Sequence, residues 1–68
     1  MDEEALNTSV RKFLRKFGVM AQRELESAVR AADAKGQLKG SDPLPVKAVV
    51  TVGSIDLKFE VDGDIELA

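Results

Sequence analysis

The chain has no cysteine, histidine, tryptophan or tyrosine, and three phenylalanines are its whole aromatic content. Imidazole and thiolate are the usual general bases, nucleophiles and transition-metal ligands near neutral pH, so their joint absence removes most catalytic chemistry and a structural zinc site with it. Without cysteine there is no disulfide either. Long apolar runs are also missing. No uninterrupted apolar stretch exceeds that of Ala48, Val49 and Val50, far below the roughly 20 residues that cross a bilayer. Met1 is followed by Asp2, Glu3 and Glu4, whereas a signal peptide opens with basic residues before an apolar run. The expectation is a cytoplasmic protein with no membrane association. Thr8, Ser9 and Ser54 are available hydroxyls, but none has a convincing base beside it in the sequence, and no glycine-rich phosphate loop is present. The chain is therefore expected not to be an enzyme and to need no cofactor.

What is present is the composition of a globular domain: 44% hydrophobic and 32% charged residues in a chain of 68. A single domain of this size buries about 60% of the surface its unfolded chain exposes. Disulfides and zinc being excluded, association with a second copy is the remaining supplement. The net charge of -2 is unevenly spread. Residues 1–40 carry eight Lys or Arg against six acids, and residues 41–68 carry two Lys against six acids. That asymmetry is too modest for a dedicated nucleic-acid binder.

Leu6, Val10, Phe13, Leu14 and Phe17 recur at helical spacing, with Arg11, Lys12, Arg15 and Lys16 on the other side of the wheel. Asp2 is a good N-cap, Glu3 and Glu4 suit the first turn, and Gly18 reads as the stop, which predicts a helix over 2–17. A second helix is expected over 21–35, with Leu25, Ala28, Val29 and Ala32 inward and Gly36 as its end. Its start is poorly capped, since Met20 stands where Ser or Thr is preferred. Residues 36–45 contain Gly40-Ser41-Asp42-Pro43 and Pro45 and read as a loop.

From Val46 the period changes to two, first in Val46, Ala48, Val50 and Val52, then in Ile55, Leu57, Phe59 and Val61. Gly53-Ser54 between them suits a type II′ turn, which predicts a hairpin over 46–61 pairing Val52 with Ile55, Val50 with Leu57, Ala48 with Phe59 and Val46 with Val61. The same register sets Lys47 against Glu60 and Thr51 against Asp56. Ile65 and Leu67 keep the phase of Val61, so the second strand either continues strand-like to 67 or turns back at Asp62-Gly63.

Three patterns invite a functional reading. Asp62, Asp64 and Glu66 alternate like calcium ligands, but a calcium loop needs further oxygen donors and a distant bidentate Glu, so a solvated strand edge is the simpler account. The helix, Gly18 and helix order suggests a helix-turn-helix motif. Leu14, Glu24 and Ser27 occupy the places where that motif needs one small and two apolar residues. The basic cluster of Arg11, Lys12, Arg15, Lys16 and Arg23 is a possible phosphate or nucleic-acid surface, although cations near a helix C-terminus are also stabilised by the macrodipole.

The stretch Glu3-Glu4-Ala5-Leu6-Asn7, continuing through Ser9-Val10-Arg11-Lys12-Phe13-Leu14 and Phe17-Gly18-Val19, resembles the opening of a family of short bacterial proteins of unknown function, about 70 residues long. The resemblance extends through Gln22-Arg23-Glu24-Leu25-Glu26 and Ala28-Val29-Arg30 into the hairpin, with Met20-Ala21 where similar sequences have Thr-Ser. It implies no activity, ligand or catalytic residue.

Together these readings predict an α+β fold of two N-terminal helices packed on one face of a C-terminal antiparallel hairpin, ααββ in two layers. The expected core is Leu6, Val10, Phe13, Leu14, Phe17, Leu25, Val29, Val50, Leu57, Phe59 and Val61. A two-stranded sheet leaves both edges open. Self-pairing of the second strand would oppose Glu60, Asp62 and Asp64 to their copies. The edge formed by Val46, Lys47, Ala48, Val49, Val50 and Thr51 carries one cation and is the better candidate for a homodimer or for another protein's strand. The expected role is a non-enzymatic protein–protein interaction module, the alternative being a nucleic-acid or phosphate-binding regulator using Arg11, Lys12, Arg15 and Lys16.

Overall fold

A computed structural model describes all residues, 1–68. The element order is one helix, α1 (Glu3–Ala34), then two strands, β1 (Leu44–Val52) and β2 (Leu57–Ile65), joined by a short 3-10 turn at Gly53–Ile55. The fold is therefore α+β. The chain divides into two compact units, Met1–Gln37 and Leu38–Ala68.

In the first unit, a single helix of 32 residues replaces the two that the sequence suggested. Gly18 does not end it. A glycine inside a helix costs about 1 kcal/mol relative to alanine, and an end needs more than that: a left-handed residue and carbonyls captured by the following amides. Gly18 has neither, and its missing Cβ would meet nothing within 4 Å. The true terminus is at Gly36, whose φ is +69°. There the Gly36 N–H donates to the Asp33 carbonyl at 3.0 Å and the Gln37 N–H to that of Ala32 at 3.0 Å. This is the Schellman arrangement, which satisfies carbonyls that a helix end otherwise leaves unpaired. At the other end Asp2 Oδ1 accepts from the Glu4 and Ala5 amides at 2.9 and 3.1 Å, with Glu3 and Glu4 in the first turn.

The second unit is an antiparallel hairpin. β1 begins at Leu44, two residues before the expected start. The register pairs Val52 with Leu57, Val50 with Phe59, Ala48 with Val61, Val46 with Gly63 and Leu44 with Ile65. This is a two-residue shift from the type II′ expectation. Gly53 to Asp56 form a four-residue loop in which Asp56 adopts the left-handed conformation, φ 53°, and its N–H reaches the Gly53 carbonyl at 3.3 Å. Aspartate tolerates that region better than most side chains. Ile55 is thereby expelled from the ladder and is 68% exposed. β2 runs through Gly63 to Ile65 without turning back. Because side chains alternate with period two, a shift of two keeps every apolar residue that remains in the strands on its predicted face, Ile55 alone being lost from it.

Taken by itself, neither unit buries a residue: nine of the eleven side chains expected in the core are exposed, Val29 and Val50 being intermediate. Within α1 the reason is geometric. Helix continuation through Gly18 carries Leu25 about 28 Å along the axis from Leu6, at 1.5 Å per residue. The two halves of the apolar stripe therefore lie in line and cannot face one another.

Candidate functional site

Two surfaces carry the residues that the sequence singled out. The first is α1. Arg11, Lys12, Arg15 and Lys16 project from its middle, and the last turn holds no basic residue. Stabilisation by the C-terminal end of the macrodipole, which falls off within a turn, therefore does not account for them. Neither do ion pairs: both salt bridges of the chain, Arg30 to Glu26 at 2.9 Å and Lys47 to Glu60 at 3.2 Å, lie elsewhere. Asn7, Thr8, Arg11, Lys12 and Arg15 line one shallow surface groove. Arg23, expected to join this cluster, instead lines a separate depression with Val19, Gln22 and Glu26. There, one turn apart on the helix, the Gln22 side-chain amide donates to Glu26 Oε2 at 2.8 Å and Arg30 to Glu26 Oε1 at 2.9 Å. The bonds from Gln22 and Arg30, aided by the charge of Arg30, hold the Glu26 carboxyl below its ordinary range.

Opposite the cations runs the apolar stripe. Phe13 and Leu14 are 56% and 55% exposed, and Val10 and Phe17 nearly as much. The Phe13 and Phe17 rings stack at 6.4 Å with 22° between their planes, an i,i+4 contact. With Met20 and Ala21 they floor an apolar groove rimmed by Lys16 and Glu24. Helical periodicity finds this stripe but not its continuity through Gly18. The signal for that is the absent cap at Met20, which removes the reason for a second helix to start there.

The second surface is the free edge of β1. Val46, Lys47, Ala48, Val49, Val50 and Thr51 all lie within this strand, which pairs on one side alone. Lys47 stands opposite Asp62, and its ion pair with Glu60 is diagonal. Thr51 faces Lys58, not Asp56. Val49, opposite Glu60, is 52% exposed. Asp62 and Asp64 share the polar face with Lys47, and no group of His, Cys, Asp or Glu side chains is arranged to hold a metal ion. No helix is long and apolar enough to cross a membrane.

A small α+β chain with a long amphipathic helix and an open hairpin is the class that this geometry defines. The chain belongs to a family of unknown function, DUF6494, whose pattern it matches over residues 1–68. No curated protein and no solved structure matches it.

Proposed function

We propose that this chain is a non-enzymatic protein–protein interaction module, acting by self-association through the free edge of its hairpin. One observation carries the reading: β1 pairs with β2 alone, so the hairpin keeps a free strand edge with Val49 exposed on it. The free edge of β1 supplies one contact. Antiparallel pairing of two copies about Val49 sets Lys47 against Thr51 and makes a four-stranded sheet, while the β2 edge would oppose Glu60, Asp62 and Asp64 to their own kind. Val49→Glu places a carboxylate at the centre of that pairing. Sedimentation equilibrium should show the folded variant in a lower association state than the parent, and an unchanged state would overturn the edge assignment.

A second reading is favoured by one feature, the four unpaired cations in mid-helix. Arg11, Lys12, Arg15 and Lys16 would then contact nucleic-acid phosphates, with binding that weakens steeply as salt rises. A mobility shift at low salt that disappears when all four are changed to Ala supports this alternative. No shift by the parent removes it.

A further inference from the structure

Proline is uncommon inside a strand because it cannot donate to the ladder, and β1 has one at Pro45. Opposite residues of an antiparallel pair alternate between those that exchange both main-chain hydrogen bonds and those that exchange none. Pro45 stands opposite Asp64, and having no N–H it belongs to the second kind. The alternation then fixes every other position. Leu44, Val46, Ala48, Val50 and Val52 turn their N–H and C=O groups toward β2, whereas Lys47, Val49 and Thr51 turn both groups to the free edge and Pro45 turns only a carbonyl there. The chain has no third strand, and α1 spends its amides and carbonyls on itself, so no regular element of the same chain can pair with them.

We propose that Pro45 sets the register in which two copies join along this edge: a closed antiparallel dimer centred on Val49, in which Lys47, Val49 and Thr51 bond to Thr51, Val49 and Lys47 of the second copy. The dimer so described rests on the interaction-module reading, to which it adds the bonding groups and the residue that selects among registers.

The register follows from matching donors with acceptors. With the centre on Val49, each outward residue that carries both groups meets another that does. Pro45 then falls opposite the partner's Gly53, in the turn and beyond its strand, where no donor is asked of it. Moving the centre to Ala48 puts Pro45 opposite Thr51 and leaves the Thr51 carbonyl without a donor, which costs an unmade bond. A centre on Lys47 puts Pro45 opposite Val49 instead and sets the two Lys47 ammonium groups side by side. A centre on Val50 carries Lys47 past the end of the partner's strand. The faces agree as well, since even positions stay beside even ones and the apolar side of each hairpin remains on one side of the joined sheet. A parallel pair related by a two-fold axis would turn one of them over. β2 offers no rival edge, because its outward residues are Lys58, Glu60, Asp62 and Asp64, and charge along an edge discourages pairing. Lys47 is the one charge on the β1 edge, and Glu60 of its own hairpin holds it at 3.2 Å.

Pro45→Val tests the assignment, because it gives the edge one more residue with both groups, and the centre that matches all of them is then Ala48. With no native cysteine, introduced thiols read the register. Val49→Cys in the full chain should link to its own copy, since directly opposed Cα atoms lie about 5.5 Å apart. In the Pro45→Val background the same two thiols are displaced by about 7 Å along the strands, beyond disulfide reach, and linking should slow about tenfold. A mixture of Lys47→Cys and Val49→Cys in that background should link in its place. Amide exchange gives a readout without thiols. Where about nine-tenths of the chain is dimer, the N–H groups of Lys47, Val49 and Thr51 should exchange about tenfold more slowly than in the monomer. Those of Val46, Ala48, Val50 and Val52 should be protected at every concentration and in each variant, which shows the hairpin folded. An undiminished Val49→Cys link in the Pro45→Val background overturns the proposal and leaves the interaction-module reading standing. Slowed exchange at Lys58, Glu60 and Asp62, with mass rising past the dimer, would show β1 joined to β2 in an open ribbon and overturn it too. A chain monomeric at every concentration removes the interaction-module reading itself, and the proposal with it.

Discussion

Two glycines of this chain show how little a residue's identity says without its backbone angles. Gly18 lies in regular helix with open space where a Cβ would be, whereas Gly36 ends the same helix at φ +69°. Substituting alanine should therefore act in opposite directions. Gly18→Ala should stabilise the helix by about 1 kcal/mol, and Gly36→Ala should destabilise it by about 1–2 kcal/mol through left-handed strain. Paired thermal melts check this, and a loss of stability in Gly18→Ala would contradict the continuous helix. Glu26 supplies the second test at this scale. Its carboxyl is held low by hydrogen bonds from Gln22 and Arg30, so the unfolded chain takes up a proton more readily than the folded one. The stabilisation is complete above the ordinary glutamate value and is lost as the pH falls through the lowered one. Carboxyl resonances followed by NMR should give Glu26 a midpoint below that of a free glutamate, and in Glu26→Gln the part of the acid-induced helix loss due to this group should vanish. A midpoint at or above the ordinary value would contradict the hydrogen-bonded geometry.

At the scale of elements, much of the fold is legible in the sequence, and the misreadings have specific causes. Helical spacing, the Asp2 cap and the stop at Gly36 are all local features, and each has its counterpart in α1. Gly18 is ambiguous because glycine serves both as a tolerated interior residue and as a terminator, and the choice depends on hydrogen bonds beyond it. The residues after Gly18 favour continuation, since Val19 to Leu25 contains neither proline nor a cap. The hairpin likewise shows which face is apolar but not its register. Gly53-Ser54 is a sound two-residue turn, yet Asp56 accepts a left-handed backbone and permits the longer loop, so the strands slide by two. The candidate site was legible in part. The cations and the β1 edge could be named from residue type and alternation, whereas the continuity of the stripe along one helix depended on the one misread glycine.

For the whole molecule the starting point is how little each unit buries by itself. A helix of 32 residues, about 48 Å long, holds its termini through Asp2 and Gly36, yet most helix stability in proteins comes from covering an apolar face. A two-stranded hairpin is likewise marginal unless something packs on it. Each unit is thus short of burial by itself, and under the proposed function the β1 edge is where a second copy supplies surface to the hairpin. The most direct measurement is sedimentation equilibrium of the full chain over a hundredfold concentration range. Concentration-dependent association, with a dimer as the first species formed, is the predicted result. A monomer at every concentration, with the helix intact by circular dichroism, would contradict it.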